Sequence, residues 1–78
     1  MKEYARRLRD LRTDRELSQV QIAVVLGTTK NQVGKYERGE QEMPIRHLIT
    51  LCNYYGVSAD YVLGLPEGRP YGFSKTKA

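Results

Sequence analysis

The sequence predicts an all-α fold with five short helices in a single small domain. Apolar residues recur at three- and four-residue spacing in several segments, and no segment alternates with period two over a useful length. A serine or threonine precedes three of these segments and a glycine follows four, as is typical of helix starts and ends. The 78 residues leave room for one modest core and no second lobe.

The first two helices are predicted from their apolar faces and their caps. The first extends from about Lys2 to Glu16 and carries charge on the face opposite its apolar residues. Its inward positions are Tyr4, Ala5, Leu8, Leu11 and Arg12. The second extends from about Gln19 to Leu26, because Ser18 is a good N-cap and Gln21 follows three residues later, as in a capping box. Gly27 stands where a left-handed C-cap favours glycine.

The third helix begins soon after Gly27. Thr29 can cap it, Val33 and Tyr36 face inward, and the helix stops at Gly39. Two helices joined by three or four residues around a glycine cross steeply. The second and third helices therefore predict a helix-turn-helix.

The fourth and fifth helices complete the predicted domain. Pro44 fits the first turn of the fourth helix, which Gly56 ends. Its predicted inward stripe is Leu48, Leu51, Cys52 and Tyr55. Ser58 caps a short fifth helix from Ala59 to about Leu63, closed by Gly64. We therefore expect a domain over residues 1–65 and a basic tail over 66–78, either disordered or part of a dimer contact.

The charge distribution favours a polyanionic partner. Residues 1–17 carry six bases and four acids, and residues 18–39 carry three bases and one acid. Residues 40–68 carry one base and four acids, whereas residues 69–78 carry three bases and no acid. A basic first half and basic ends suit nucleic acid, with the acidic middle facing away. Ordinary solvated charge is the alternative at this point.

Composition excludes several other classes. The single cysteine, Cys52, rules out an intrachain disulfide and a cysteine-rich metal site. The N-terminus is basic and polar, unlike a signal peptide, and no apolar run approaches the roughly 20 residues of a membrane span. We therefore expect a soluble cytoplasmic protein without a membrane association.

A set of residues at fixed offsets resembles the Cro/C1-type (XRE) helix-turn-helix family of repressors. In the first half these are Leu17-Ser18-Gln19, Ile22-Ala23, Leu26-Gly27, Val33 and Lys35-Tyr36-Glu37-Arg38-Gly39. Further along they are Leu48, Leu51, Gly56-Val57-Ser58 and Asp60-Tyr61-Val62-Leu63-Gly64. The resemblance covers roughly residues 4 to 65, and the combined spacing is highly specific.

The resemblance implies a five-helix, lambda-repressor-like domain whose helices 2 and 3 form the helix-turn-helix. It implies sequence-specific binding of an operator in double-stranded DNA, transcriptional regulation, most commonly repression, and no catalysis, cofactor or small-molecule ligand. It also implies a homodimer, because the family mostly dimerises on pseudo-palindromic operators.

Four positions of the third helix are predicted to read bases. Val33 and Tyr36 face the core, which leaves other residues outward. The outward positions are Lys30, Asn31, Gly34 and Lys35. Asparagine can pair bidentately with adenine, and lysine can donate to guanine O6 and N7. At Gly34 the missing side chain would let the duplex approach closely.

Other polar residues are predicted to contact phosphates. Gln19 begins the second helix, where its side chain and nearby N–H groups can meet a phosphate, and the resemblance gives this glutamine that role. Arg38 ends the third helix, and Gln32 could contact either phosphates or bases. Arg6 or Arg9 on the first helix could add contacts. For the three arginines, solvated charge is an equal alternative.

The resemblance assigns Arg12 and Glu37 to the fold. In the family an arginine at this position of the first helix pairs with the glutamate of the third, which ties the two helices together. Removing one partner would leave a partly buried charge unpaired. We therefore keep this pair apart from the DNA-reading residues.

The sequence departs from the family at three places. Val20, Val24 and Val25 stand where relatives usually carry charged or polar residues, so they are either singly exposed valines or a patch covered by the tail or another chain. Gly34 lies within a helix, at a cost of roughly 1 kcal/mol relative to alanine. The loop over residues 40–42 is acidic, which argues against phosphate contacts from it.

An enzyme and a protein-interaction module are the two alternatives to a DNA-binding function. An enzyme is disfavoured, because His47 is the only histidine, is expected at the surface, and no carboxylate pair or nucleophile–base set is present. A protein-interaction module that kept the fold, such as an antitoxin, is the alternative from another class. Such a module would not need polar groups at Lys30, Asn31 and Lys35.

The predicted dimer contact lies on the fifth helix and the tail. The apolar groups there lie away from the third helix and are Tyr61, Leu65, Tyr71 and Phe73. The valines of the second helix are the alternative contact.

Overall fold

The computed structural model describes residues 3–66, which form five α-helices and contain no strand. The helices are α1 (Glu3–Asp14), α2 (Gln19–Leu26), α3 (Lys30–Glu37), α4 (Ile45–Tyr55) and α5 (Ala59–Leu63). The predicted all-α architecture is confirmed. None of these helices is long and apolar enough to cross a membrane. The predicted tail, with Tyr71 and Phe73, lies outside the described residues apart from Pro66.

Side chains cap the N-termini of three helices, as predicted. The Ser18 hydroxyl accepts from the Gln21 N–H at 3.1 Å, and the Ser18 N–H donates to Gln21 Oε1 at 2.7 Å. The Thr29 and Ser58 hydroxyls likewise accept from the N–H groups of Gln32 and Tyr61, but α3 and α5 show no capping box like that of α2. Pro44 stands one residue outside its predicted place, as the N-cap of α4, and makes no side-chain hydrogen bond there. These caps fix where the short helices begin.

A residue of left-handed backbone follows each of the five helices. These residues are Glu16, Gly27, Gly39, Gly56 and Gly64. At the end of α1, the Leu17 N–H donates to the Arg12 carbonyl at 3.0 Å and the Glu16 N–H to the Thr13 carbonyl at 3.0 Å. This Schellman motif ends α1 at Asp14, two residues before the predicted end. The prediction was wrong there because a glutamate at φ 56° is unusual, and no glycine marks the site.

The core lies between α1, α2, α4 and α5, and α3 contributes one buried residue, Val33, to it. Its buried members are Leu8, Leu11, Ile22, Ala23, Leu26, Val33, Leu51, Cys52, Tyr55 and Val62. Burial raises the pKa of the Tyr55 phenol to about 12, which keeps the group neutral in the core. Of the predicted inward stripe of α4, Leu48 is only partly buried, and it packs against the edge of the core.

His47 is buried, which corrects the prediction of a surface histidine. It is only 8% exposed, and its ring meets the Tyr36 ring edge to face, with the centroids 5.9 Å apart. Burial lowers the pKa of His47, and the neighbouring Arg46 charge lowers it further. The imidazole therefore packs as a neutral aromatic group between α4 and the inner face of α3.

Arg12 and Glu37 form a two-point ion pair between α1 and α3. Arg12 Nε donates to Glu37 Oε2 at 2.7 Å, and Arg12 Nη2 donates to Glu37 Oε1 at 3.0 Å. The third nitrogen of the guanidinium, Nη1, donates to the Leu17 carbonyl at 2.8 Å. The two side chains are 13% and 10% exposed. Glu37 raises the pKa of Arg12 by its hydrogen bonds, against the opposing effect of burial.

Arg12→Ala is expected to lower the free energy of unfolding by about 2–3 kcal/mol, because Glu37 would lose its guanidinium partner in a largely buried place. The control is Arg6→Ala on the same helix. Arg6 pairs with Glu3 and both side chains are about half exposed, so about 0–1 kcal/mol should be lost. Urea unfolding followed by circular dichroism measures both. Equal small losses would contradict a structural role for Arg12.

Candidate nucleic-acid interface

Helices α2 and α3 are joined by a tight turn that fixes their crossing. Gly27, at φ 69°, ends α2, and the Thr28 N–H donates back to the Ala23 carbonyl at 2.9 Å. Thr29 then starts α3 at once, because its hydroxyl accepts from the Gln32 N–H. Only three residues separate the two helices, and hydrogen bonds fix this connection, so α2 holds α3 in one orientation.

The outer face of α3 is polar and exposed at three of the four predicted base-reading positions. Val33, Tyr36 and Glu37 are buried on the inner face. Lys30, Asn31 and Lys35 are exposed, and Gln32 is intermediate. The three exposed residues offer two ammonium groups and one amide along a single helix. This arrangement can present hydrogen-bond donors and acceptors to the edges of base pairs.

Gly34, the fourth position, is buried rather than open. A Cβ placed there would lie 2.9 Å from Arg38 Nη1 and 3.8 Å from Gln19 Nε2. The Arg38 guanidinium therefore lies over the outer surface of α3 at this point. The expected open surface for a close approach of the duplex is absent, and a base contact at Gly34 would need Arg38 to move.

Gln19 borders the same surface from the start of α2. Its Nε2 donates to Glu37 Oε1 at 3.0 Å, so the carboxylate that binds Arg12 also orients this amide. An amide nitrogen carries two N–H groups, and this bond uses one. Gln19 thus joins α2 to α3 and keeps a donor beside the outer face.

Arg38 is held by an acidic residue of the following loop. Arg38 Nε donates to Glu40 Oε2 at 2.6 Å and Arg38 Nη2 to Glu40 Oε1 at 3.3 Å. Both side chains are exposed. The hydrogen bond raises the pKa of Arg38 and lowers the pKa of Glu40. In this structure the guanidinium of Arg38, which is predicted to contact a phosphate, is already paired with the carboxylate of Glu40.

Two arginines, Arg7 of α1 and Arg15 just after this helix, have structural roles that the sequence did not predict. Arg7 Nη1 donates to the Tyr61 carbonyl at 2.6 Å, and Arg15 Nη2 donates to the Tyr55 carbonyl at 3.0 Å. Each guanidinium also lies over the ring of the same tyrosine, at 5.6 and 5.1 Å from its centroid. Both carbonyls lie near the C-terminus of a helix, where a cation is favoured. They are 54 and 40 residues from the arginines in the sequence, so no local pattern could have predicted these contacts.

Arg6 and Arg9, the two α1 residues predicted as alternative phosphate ligands, have acidic neighbours on their own helix. Arg6 Nη2 donates to Glu3 Oε2 at 2.7 Å, and Arg9 lies 3.7 Å from Asp10. Both pairs are exposed, so they constrain the arginines weakly.

The described residues contain no cluster suited to a metal ion. No group of three or more histidine, cysteine, aspartate or glutamate side chains within residues 3–66 could hold one. Cys52 is buried as a free thiol, and burial raises its pKa, so it behaves as a small core residue.

The tight turn, the polar outer face of α3 and the five-helix frame define a helix-turn-helix protein. The family described as "Helix-turn-helix domain" matches residues 3–62, which is most of the chain. The chain belongs to this family and is of the XRE, or Cro/C1, type. The predicted resemblance is confirmed.

Bacterial and phage regulators are among its relatives. The uncharacterized HTH-type transcriptional regulator YobD of Bacillus subtilis (strain 168) is 39% identical over 64 residues, which are 82% of this chain and 57% of YobD. The cryptic phage CTXphi transcriptional repressor RstR of Vibrio cholerae is 35% identical over 54 residues, which are 69% of this chain and 49% of RstR. The chain thus spans about half the length of the curated relatives it matches.

A solved structure confirms the lambda-repressor-like fold. The P22 c2 repressor protein, in a crystal structure with synthetic operator 9T, matches with a TM-score of 0.72 and 24% sequence identity. The match covers 81% of this chain and 96% of that chain.

Gly34→Ala is expected to raise the free energy of unfolding by up to about 1 kcal/mol, because alanine favours the helix and the atom it meets ends a flexible, exposed side chain. Gly27→Ala is the matched control and should lower it by about 1–2 kcal/mol, since Gly27 has φ 69°. Thermal melts of both variants measure the difference. Losses of similar size would show that Gly34 is required by the fold.

Proposed function

We propose that this chain is a sequence-specific, double-stranded DNA-binding transcriptional regulator that acts as a repressor. The observation that carries the proposal is the exposed row of Lys30, Asn31 and Lys35 on a helix held rigidly by α2. A relative of 35% identity, RstR, is named a transcriptional repressor. A cytoplasmic location, where a bacterial regulator meets the chromosome, is part of this proposal.

Helix α3 enters the major groove with its N-terminal half against the base edges. Asn31 reads adenine through a bidentate amide contact, and Lys30 and Lys35 donate to guanine O6 and N7. The inner face stays on the core through Val33 and Tyr36, which are 2% and 5% exposed. The reading groups therefore project from a helix that is already ordered, so little backbone freedom is lost on binding.

Phosphate contacts fix the register of α3 in the groove. Gln19 offers its remaining amide N–H at the start of α2, where the backbone N–H groups of the first turn also favour an anion. Gln32 in the first turn of α3 and Arg38 at its C-cap contact the phosphates on either side. These contacts carry affinity but no sequence information. The polar face of α3 favours this function over a module that binds only proteins.

The Asn31→Ala and Lys30→Ala variants are each expected to cost roughly 1–3 kcal/mol on the specific site and to relax preference at one or two base pairs. Gln19→Ala is the contrasting variant and should weaken binding about equally on all sequences. Selection of bound duplexes from a random pool gives the consensus for each variant. An unchanged consensus for Asn31→Ala would contradict its base-reading role.

We further propose that the regulator binds its operator as a two-fold dimer. One helix of eight residues covers only a few base pairs, too few to define a unique genomic site. Two copies of α3 about 34 Å apart would read two half-sites one helical turn apart. Tyr61 and Leu65 precede the tail in the sequence and are 43% and 53% exposed, which supports a contact through α5 and residues 66–78. Val20 and Val24 are also exposed and remain the alternative surface.

Truncation after Leu65 tests the dimer contact. The truncated protein should have half the mass in light scattering and bind the selected duplex more weakly, because the two half-sites would no longer be engaged together. The matched variant Val24→Ser changes the alternative surface, where Val24 is 76% exposed, and should leave both measurements unchanged. A truncated protein with the mass and affinity of the full chain would exclude the tail from the contact.

A further inference from the structure

We propose that Glu40 is an internal competitor of DNA, which occupies Arg38 and so lowers the affinity of this surface for phosphate. The inference rests on the proposed DNA-binding function. It concerns the group of residues at the end of α3, which consists of Gly34, Arg38 and Glu40.

The Arg38 guanidinium lies on the outer face of α3. Arg38 is the C-cap residue of α3, and its side chain folds back over the outer face of the helix to Gly34. Any other residue at Gly34 would place a Cβ 2.9 Å from Arg38 Nη1, so the glycine makes room for the guanidinium. Gln19 borders the same spot from α2. Arg38 thus lies on the surface formed by both helices of the helix-turn-helix, where a phosphate group of bound DNA would meet it.

The backbone of Glu40 is fixed at the end of α3. Gly39 has φ 74°, and the Glu40 N–H donates to the Lys35 carbonyl at 2.9 Å, which closes the end of α3. Glu40 therefore belongs to the helix end rather than to a loose loop. Its backbone position brings its carboxylate within reach of the Arg38 guanidinium.

The contact between Glu40 and Arg38 involves two nitrogens of the guanidinium. Glu40 binds Arg38 through Nε and Nη2, at 2.6 and 3.3 Å. Phosphate uses the same two-point geometry on a guanidinium. A phosphate must therefore displace the carboxylate from this edge, or approach the other edge and lie close to its negative charge. In either case Glu40 opposes the contact.

The size of the effect follows from exposure. Both side chains are more than half exposed, and exposed ion pairs are weak. A DNA phosphate can therefore still displace Glu40 from Arg38. Glu40 reduces the affinity of the protein for DNA without abolishing it. The pair also cancels one of the three cations that α3 and its C-cap carry, Lys30, Lys35 and Arg38. Fewer counterions are then released on binding, so the dependence on salt is shallower than the sequence suggests.

A double-mutant cycle tests the inference. Wild type, Glu40→Gln, Arg38→Ala and the double variant are titrated against a fluorescein-labelled, mixed-sequence DNA duplex of about two helical turns at several NaCl concentrations. Glu40→Gln should tighten binding about twofold to fivefold and steepen the slope of log K against log salt by about 0.9. In the Arg38→Ala background, the same change should leave affinity and slope nearly unaltered. Thermal melts show that all four proteins are folded.

Two results would overturn the inference while leaving DNA binding intact. If Glu40→Gln tightens binding equally in both backgrounds, its effect is general repulsion of DNA by a negative charge and not competition for Arg38. If Glu40→Gln weakens binding only when Arg38 is present, Glu40 orients the arginine towards DNA. Failure of every protein to bind the duplex at low salt would instead reject the proposed function, and the inference with it.

Discussion

The Glu37 carboxylate holds α1, α2 and α3 together. It accepts hydrogen bonds from Arg12 on α1 and from Gln19 on α2, while its own helix, α3, carries the outer polar face. Arg12 extends the network to the Leu17 carbonyl, in the turn before α2. Three helices and one turn therefore meet at a single, largely buried acid. Because this carboxylate is largely buried, loss of one donor leaves its negative charge less well compensated.

Much of the fold follows from local rules, and the sequence predicted it well where those rules act alone. The bounds of α2 and α5 agree with the structure, since Ser18, Ser58, Gly27 and Gly64 mark them. The end of α1 did not follow, because Glu16 adopts a left-handed backbone without being glycine. Neither glycine nor asparagine marks this position, so the local sequence pattern did not predict it.

The candidate site was predictable in its outline and less so in its contacts. Periodicity placed Lys30, Asn31 and Lys35 outward, as the structure has them. Periodicity also placed Gly34 outward, but it could not show that a side chain four residues later covers it. His47 was expected at the surface because polar residues usually lie there, yet the Tyr36 ring gives it a buried neighbour from another helix. Both differences arise from tertiary contacts.

Two side-chain bonds to backbone carbonyls, one from α1 and one from the turn after it, bear on how such a domain can diversify. Arg7 and Arg15 bind the carbonyl groups of Tyr61 and Tyr55, and every residue type supplies a carbonyl at those places. Helices α4 and α5 can therefore exchange surface side chains without losing these anchors. On α3, the anchored groups face inward, whereas the residues that would meet a ligand, Lys30, Asn31 and Lys35, are exposed. New binding preferences can accumulate on that face while the scaffold stays the same, so the architecture separates the freedom to evolve from the need to stay folded.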